Sequence, residues 1–364
     1  MPSPLLQATA ARSRPPHQLL VPTVADRESP PPDSGQVAGW RQPGGRRAGN
    51  DSTAEISSSR GSMFRRLLST AAAARRPPPI RVALTESSGR GVFATRPIAA
   101  GELLHSAQPL VSHPSRSLLH EVCYSCLRRR NGGSGGDGDD SSGSCYFCGD
   151  ACREHAKGFR NIEKNADWSL FDEHCSSRGL KYPYMVKRLA CMVISGAVSA
   201  DCLDILQPAH LHQGTLTEME EEFELLDDIF RKAGFQEEVT TFLTREWYIN
   251  VLARIRINAF RIELVATSYE DLLSSAVALV ACDAAVGNAV YMLPSFYNHD
   301  CDPNTHIVWL ETADARLKAL CDIEEGEELR ICYIDASMDV DARQKILADG
   351  FGFQCRCLRC LSGD

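Results

Sequence analysis

Near its C-terminal end, Cys355-x-Cys357-x-x-Cys360 offers three thiols within six residues. They are close enough to share one metal ion and one short of the tetrahedral four that zinc prefers. Arg356 and Arg359 stand between them, so packing the same thiols as ordinary core would also bury charge. A second group lies upstream: Cys123-x-x-Cys126, then Cys145-x-x-Cys148-x-x-x-Cys152, with His155, His174 and Cys175 beyond. Cys123, Cys126, Cys148 and Cys152 make one tetrahedral set, although the paired spacing equally permits Cys123, Cys126, Cys145 and Cys148. A second ion there would need Cys145 with His174 and Cys175, or His155. The third constellation is Asn298-His299-Asp300-Cys301-Asp302-Pro303-Asn304, which follows the apolar segment 290–297. Taken alone it reads as a turn, since Asn, Asp and Pro are turn formers.

These groups need elements to hold them. Alternation at 80–84 and 89–94 predicts two short strands around a glycine turn, with a further strand or turn near 103–111. Apolar residues recur at three- and four-residue steps over 184–198, 216–233 and 236–250, which predicts helices beside a sheet. Short β-type runs follow at 305–310, 316–320 and 328–333. The stretch 131–140 is glycine-rich and cannot pack a core, so the cysteines flanking it must carry that region. The acidic run 218–224 is read as a solvated helix face rather than a basic-tail recruiter. Cys191, Cys202, Cys282, Cys321 and Cys332 stand in apolar surroundings and are read as packed thiols.

Composition bounds the classes. Residues 1–79 hold eleven Arg against five acids, whereas the remainder holds 28 basic and 42 acidic side chains, a balance of −14. An acidic body lacks the basic footprint of sequence-independent nucleic-acid binding and suits a basic peptide better. Fifteen Cys without an apolar signal core point to a reducing compartment and to metal rather than disulfides. No run of 18 apolar residues exists, so no membrane span is expected. Residues 1–62 are rich in Pro, Gly, Ser and Arg and are expected to be disordered. Residues 63–79, basic and free of acids, read either as a transit peptide starting at Met63 or as more basic tail.

The knot-like run, followed by Gly326-Glu327-Glu328-Leu329, then Tyr333, then the terminal cysteines, resembles SET-domain protein lysine methyltransferases. In that family the hallmark is Asn-His-x-Cys-x-Pro-Asn, Gly-Glu-Glu-Leu, a Tyr and a terminal Cys-x-Cys cluster. Gly89-Arg90-Gly91-Val92-Phe93-Ala94 and Ala100-Gly101-Glu102-Leu103 match its N-terminal motif. Asp300 departs from the usual Ser, and a local charge change rather than loss of the knot is expected. Ile331-Cys332-Tyr333-Ile334-Asp335 and the upstream cysteines are similar to the branch carrying an inserted MYND-type zinc finger. Plant trithorax-related SET proteins are similar as well. Over about residues 80–361, the resemblance implies an α+β fold with a pseudoknot, split by insertions.

Its parts would be a SET N-terminal part at 80–122, a MYND-like finger at 123–175 and a helical insert at 176–245. A SET C-terminal part at 246–335 and a cysteine-rich cap at 336–364 would follow, without the long helical C-terminal domain of many finger-bearing relatives. A more open substrate groove is expected from that. Cys301 would supply the fourth ligand to Cys355, Cys357 and Cys360. S-adenosylmethionine would lie against Gly89, Arg90 and Gly91, with Asn258, Ser295, Asn298, His299 and Phe353 around it, although for Asn258 a plain polar helix-end role is an equal reading. Tyr333 would be catalytic, aligning a neutral lysine amine with the sulfonium in a channel walled by Phe351 and Phe353. Tyr291 and Tyr297 are better read as core aromatics. The expected substrate is a lysine of histone or another protein, with a proline-containing peptide as a finger ligand. The nucleus is the expected compartment, with mitochondrion or plastid as the alternative through 63–79. The rival readings are a silent SET and MYND interaction module and an organellar, non-histone methyltransferase.

Overall fold

The computed structural model describes residues 77–130, 145–264 and 285–364. Most of the basic tail, the glycine-rich stretch 131–140 and Cys282 therefore lie outside the described residues.

Strands β1 (Ile80–Leu84) and β2 (Arg90–Ala94) pair antiparallel. The turn between them closes on Gly89 at φ +71°, a conformation that a side chain would strain. Strands β3 (Leu103–Ala107) and β4 (Val111–Pro114) complete the first strand group. After the helices come β5 (Ala259–Glu263), β6 (Ala285–Val290), β7 (Asn298–His299), β8 (Thr305–Val308), β9 (Ala315–Ala319) and β10 (Glu328–Ile331). Three sheets result, ordered β1-β2-β10-β7, β3-β9-β8 and β4-β6-β5. Each joins a strand from before the helices to strands from after them. The helical residues are thus inserted into a β-fold whose two halves complete each other. Inward positions alternate as a half-buried strand requires: Val92 and Ala94 of β2, Ala315, Leu317 and Ala319 of β9, and Leu329 and Ile331 of β10 share one core with Tyr291 and Tyr297.

The inserted part contains α1 (Asp150–Lys164), α2 (Ser169–Ser177), α3 (Pro183–Ile194), α4 (Gln213–Lys232), α5 (Glu237–Thr240) and α6 (Arg245–Asn258). The periodicity over 236–250 is broken rather than continuous. Thr244 accepts a hydrogen bond from the Trp247 amide at 3.1 Å and so starts a new helix that runs on to Asn258. Helices α1 and α2 were masked in the sequence by the cysteine spacing and by Glu163, a carboxylate on a core-facing position.

That carboxylate accepts from the Tyr124 hydroxyl at 3.0 Å and from Arg160 at 3.1 Å, with Arg188 Nε 3.8 Å away. Arg188 Nη1 donates to the Ser112 and Tyr124 carbonyls at 2.5 and 2.9 Å, and its guanidinium lies 3.9 Å from the Tyr124 ring centre. One buried ion pair therefore stitches β4, the first cysteine pair, α1 and α3 together. The cysteine-rich segment shares the core of the helical insert rather than standing apart.

The acidic run is not uniformly a solvated face. Glu221 pairs with Arg178 at 2.8 Å in the open, whereas Glu222 turns inward and accepts from the Tyr248 hydroxyl at 2.7 Å. Burial pushes the Glu222 carboxyl up to about 7 from 4.5, with the neighbouring Glu218 adding to it. The folded protein thus binds this proton more tightly than the unfolded chain. The associated stability is fully present below about pH 4.5 and is lost as pH rises to about 7, on the order of 3 kcal/mol. Chemical denaturation of Glu222→Gln should show a flatter stability profile across that window and a more stable protein above it. An unchanged profile would mean that Glu222 is ionised in the folded state.

Candidate active site and metal centres

The run from Asn298 to Asn304 is not a simple turn. Strand β7 pairs parallel with β10, Asn298 opposite Arg330 and His299 opposite Ile331, and the Asp300 amide donates to the Ile331 carbonyl at 3.0 Å. Asn304 acts as a side-chain substitute for a strand neighbour. Its Nδ2 donates to Glu327 Oε1 at 2.9 Å and to the Glu328 carbonyl at 2.8 Å, and its Oδ1 accepts from the Arg330 amide at 2.9 Å. Thr305 adds a hydroxyl bond of 2.6 Å to the Arg330 carbonyl. Asp300 keeps the knot: its carboxylate accepts from the Asp302 amide at 3.0 Å and meets Arg330 at 3.3 Å. The extra negative charge is matched locally.

Tyr333 follows β10 directly. Its amide donates to His299 Nδ1 at 3.0 Å and its hydroxyl to the Tyr297 carbonyl at 2.6 Å. Burial, with Glu328 nearby, holds the phenol above its usual range, so it is neutral. With its proton tied to a carbonyl, the oxygen is left as an acceptor. Burial lowers His299 to about 4, so its ring is neutral too. Because Nδ1 accepts, the ring proton belongs on Nε2, which points at Cys301 Sγ at 3.3 Å. Phe351 and Phe353 surround this pair, with ring centres 5.1 and 6.4 Å from Tyr333, and Phe353 lies 5.9 Å from His299. Tyr291 and Tyr297 are fully buried, the first bonded by Trp309 Nε1 at 2.9 Å and the second facing His105 at 3.0 Å.

Many polar atoms of the residues expected around S-adenosylmethionine are already engaged. Asn298 Nδ2 donates to Glu328 Oε1 at 2.7 Å and to the Arg90 carbonyl at 3.2 Å. Arg90 lies 5.0 Å from the Phe296 ring centre and donates to the Ile205 carbonyl at 2.6 Å. Ser295 donates to the Tyr291 carbonyl at 2.7 Å. Asn258 ends α6, its amide donating to the carbonyls of Gln207 and Arg254 at 2.8 Å each, the helix-end role that was its plain reading. Motif matching passed over Arg330, and it did not show that Glu328 braces the knot by accepting from Asn298. Strand alternation puts both on one face of β10, where Arg330 bridges Glu328 at 2.6 Å and Asp300.

Helix α7 (Val340–Phe351) starts on Asp339, whose carboxylate accepts from the Ala342 amide at 2.8 Å, and ends on left-handed Gly352. It and the short α8 (Leu358–Leu361) frame the terminal cysteines. The sulfurs of Cys301, Cys355, Cys357 and Cys360 lie within 4.8 Å of one another, as do those of Cys123, Cys126, Cys148 and Cys152. Tetrahedral zinc with sulfur at about 2.3 Å sets its sulfurs about 3.8 Å apart. The Cys301–Cys360, Cys126–Cys148 and Cys148–Cys152 separations are 3.5 Å each, and Cys301–Cys355 is 4.0 Å. Both sets can therefore hold such an ion. Of the two pairings the finger spacing allowed, the one with Cys152 is assembled. Cys145 lies in the helical core outside that set, and Cys175 is fully buried beside Glu222. His155 faces the Ser125 hydroxyl, and His174 faces Arg178. Among the described residues no second set forms in the finger. Of the thiols read as packed, Cys191 is fully buried, Cys202 and Cys332 are half-buried, and Cys321 is exposed, a correction.

Residues 89–334 match the model of the SET domain. The chain belongs to the SET-domain family. It is 58% identical over 287 residues to the histone-lysine N-methyltransferase ATXR4 of Arabidopsis thaliana, covering 79% of this chain and 87% of that protein. A SET and MYND domain-containing protein of Dictyostelium discoideum is 21% identical over 71% of this chain and 77% of its own length. The histone-lysine N-methyltransferase SMYD3 of Homo sapiens is 26% identical over 77% of this chain and 61% of that protein.

Within this SET domain, Gly91 brings the backbone of β2 close to the knot. A Cβ there would sit 2.6 Å from Glu328 Oε1, 2.7 Å from Thr85 Cγ2 and 3.1 Å from Asn298 Nδ2. Gly91→Ala should therefore push the Glu328 carboxylate off the Asn298 amide. Equilibrium denaturation is expected to show a loss of about 1–3 kcal/mol. A neutral result would show that the Glu328 side chain can swing aside freely.

Proposed function

We propose that this SET-domain protein transfers a methyl group from S-adenosylmethionine to the side-chain amine of a protein lysine, with histones as the substrate class and the nucleus as the compartment. The observation that carries the reading is Tyr333: a neutral, half-buried phenol whose proton is held by the Tyr297 carbonyl and whose ring packs beside Phe351 and Phe353. When bound, S-adenosylmethionine supplies a methyl group on a positively charged sulfonium. The amine must arrive without its proton so that its lone pair can form the new N–C bond as the C–S bond breaks. The Tyr333 oxygen can accept one amine N–H and so aim that lone pair, while the Phe351 and Phe353 rings favour the neutral amine over the ammonium. No acid–base pair has to act in the transfer itself. The backbone at Gly89 and Gly91, together with Arg90, Asn258, Ser295, Asn298, His299 and Phe353, is the surface on which the methyl donor would rest. Since both His299 ring nitrogens are engaged, its contribution is its ring edge and backbone. The relatives named as histone-lysine methyltransferases support histone as the class.

The test is methyl transfer from labelled donor to histones and to a whole-protein extract. Tyr333→Phe should lower kcat roughly 100-fold, the usual scale for losing one preorganised polar group. Asn298→Ala should raise KM for the methyl donor about tenfold, the scale of a lost hydrogen bond. A folded, zinc-loaded protein that methylates nothing would overturn the reading, and full activity in both variants would overturn the site.

The two cysteine sets are proposed to hold structural zinc, one in the cap and one in a MYND-like finger. Metal analysis of the purified protein should find two zinc ions per chain, and one in Cys301→Ser. Three ions would restore Cys145, His155, His174 or Cys175 as ligands.

A further inference from the structure

Two polar side chains face each other in the core of the strands. His105 stands on β3, where it is 8% exposed, and Tyr297 is fully buried. His105 Nε2 lies 3.0 Å from the Tyr297 hydroxyl, with the ring centres 5.8 Å apart. Among the described residues, His105 Nδ1 has no partner at hydrogen-bonding distance. Burial holds the imidazole below its usual range, against a smaller opposite pull from the Ser106 main chain, so the ring is neutral and carries one proton. Were that proton on Nε2, the Nδ1 lone pair and the phenol proton would both go unmatched. On Nδ1 it alone is left over, so the phenol donates to Nε2. Even then one buried nitrogen stays unpaired, at a cost of about 1–3 kcal/mol that two apolar side chains would avoid. Stability alone does not account for this pair.

What the pair holds is the main chain at Tyr297. That residue leaves the single turn Pro294–Phe296, its amide donating to the Pro294 carbonyl at 3.3 Å, and the pairing of β7 with β10 begins one residue later. The Tyr297 side chain therefore anchors the entry to the strand. Its own carbonyl accepts the Tyr333 hydroxyl at 2.6 Å. We propose that His105 is a positioning residue for methyl transfer: through the Tyr297 hydroxyl it fixes the carbonyl that takes the Tyr333 proton, and so keeps the Tyr333 oxygen an acceptor for the incoming amine. The proposal rests on the methyltransferase reading of the site. Without the anchor the Tyr297 carbonyl can turn away, and the phenol can then meet the amine as a donor. A proton donated in that way occupies the lone pair that the methyl group must reach. The loss falls on the chemical step rather than on binding.

Methyl transfer to histones by the full-length protein gives the test. Tyr297→Phe, which removes one oxygen, and His105→Leu should each lower kcat about three- to tenfold with KM for both substrates unchanged, the scale of one displaced hydrogen bond. The double variant should be no slower than either single one, because both break the same bond. In a Tyr333→Phe background, Tyr297→Phe should cost nothing further, since the hydroxyl it serves is gone. His105→Gln, which keeps an acceptor near the Nε2 position, should recover most of the wild-type kcat. Full kcat in Tyr297→Phe, an equal fall in both Tyr333 backgrounds, or His105→Gln as slow as His105→Leu would each overturn the proposal. A readout without turnover uses protein labelled with 3-fluorotyrosine, in which the Tyr333 resonance is the one that Tyr333→Phe removes. Tyr297→Phe and His105→Leu should move that resonance, and His105→Gln should not. A resonance unmoved in both of the first two would overturn the proposal as well. Should wild type methylate no protein, the methyltransferase reading falls, while the resonance still decides whether His105 sets Tyr333.

Discussion

One imidazole proton ties this site together. His299 accepts the Tyr333 amide proton on Nδ1, and that choice forces its own proton onto Nε2, toward the Cys301 sulfur. A neutral ring is required, since a protonated His299 could not accept from Tyr333. Burial enforces that neutrality. A sulfur that is a thiolate in a metal set is a better acceptor for the Nε2 proton than a free thiol. The backbone position of Tyr333, the rotamer of His299 and the charge state of Cys301 are therefore one linked setting rather than three.

The parallel pairing of β7 with β10 is what makes this linkage affordable in so short a segment. Two residues of β7 cannot form a stable strand by themselves, and Asn304 supplies the missing hydrogen bonds by gripping Glu327, Glu328 and Arg330 at once. The grip holds one end of the run while the cysteine set holds the middle. The end and the middle of this run are thus fixed before the aromatic residues of the tail are placed. The tail itself buries little: Leu358 and Leu361 are exposed, and its own core is small. A metal and its surroundings are the natural means of holding such a segment down.

The sequence revealed the chemistry more fully than the architecture around it. Spacing brought out three of the four cap cysteines and the finger cysteines, because metal ligands sit at fixed intervals, whereas Cys301, Asn298, His299 and Tyr333 were singled out only through the family resemblance. Strand alternation located β1, β2, β3, β8, β9 and β10 but passed over β5 and β6. Less visible were α2 and α1, the latter carrying Glu163 on its inward face, and the break at Thr244, where a single hydroxyl restarts a helix within an otherwise continuous period. Arg343 was invisible because an arginine in a helical run normally reads as a solvated position. It is fully buried, and two of the groups that meet its guanidinium, the Cys360 sulfur and Asp364, come from the end of the chain, which no local pattern contains.

The insert also reaches the site, and this changes how the residues expected around the methyl donor should be understood. Arg90 grips the Ile205 carbonyl, Asn258 grips that of Gln207, and the Ala209 amide donates to the Ala253 carbonyl at 3.0 Å. Beyond them, a Cβ on Gly352 would come within 3.1 Å of the His210 ring. The segment between α3 and α4 is therefore held at one end by the β1–β2 turn, in its middle by α6, and at the other end beside the aromatic tail. Arg90 bonds both this segment and Asn298 of the knot, so its hydrogen bonds tie the insert to that residue. A change in the helical insert that moved Ile205 or Gln207 would release the same side chains that line the knot. Hydrogen bonds thus link the insert to Arg90, which in turn meets Asn298 across more than 200 residues of sequence.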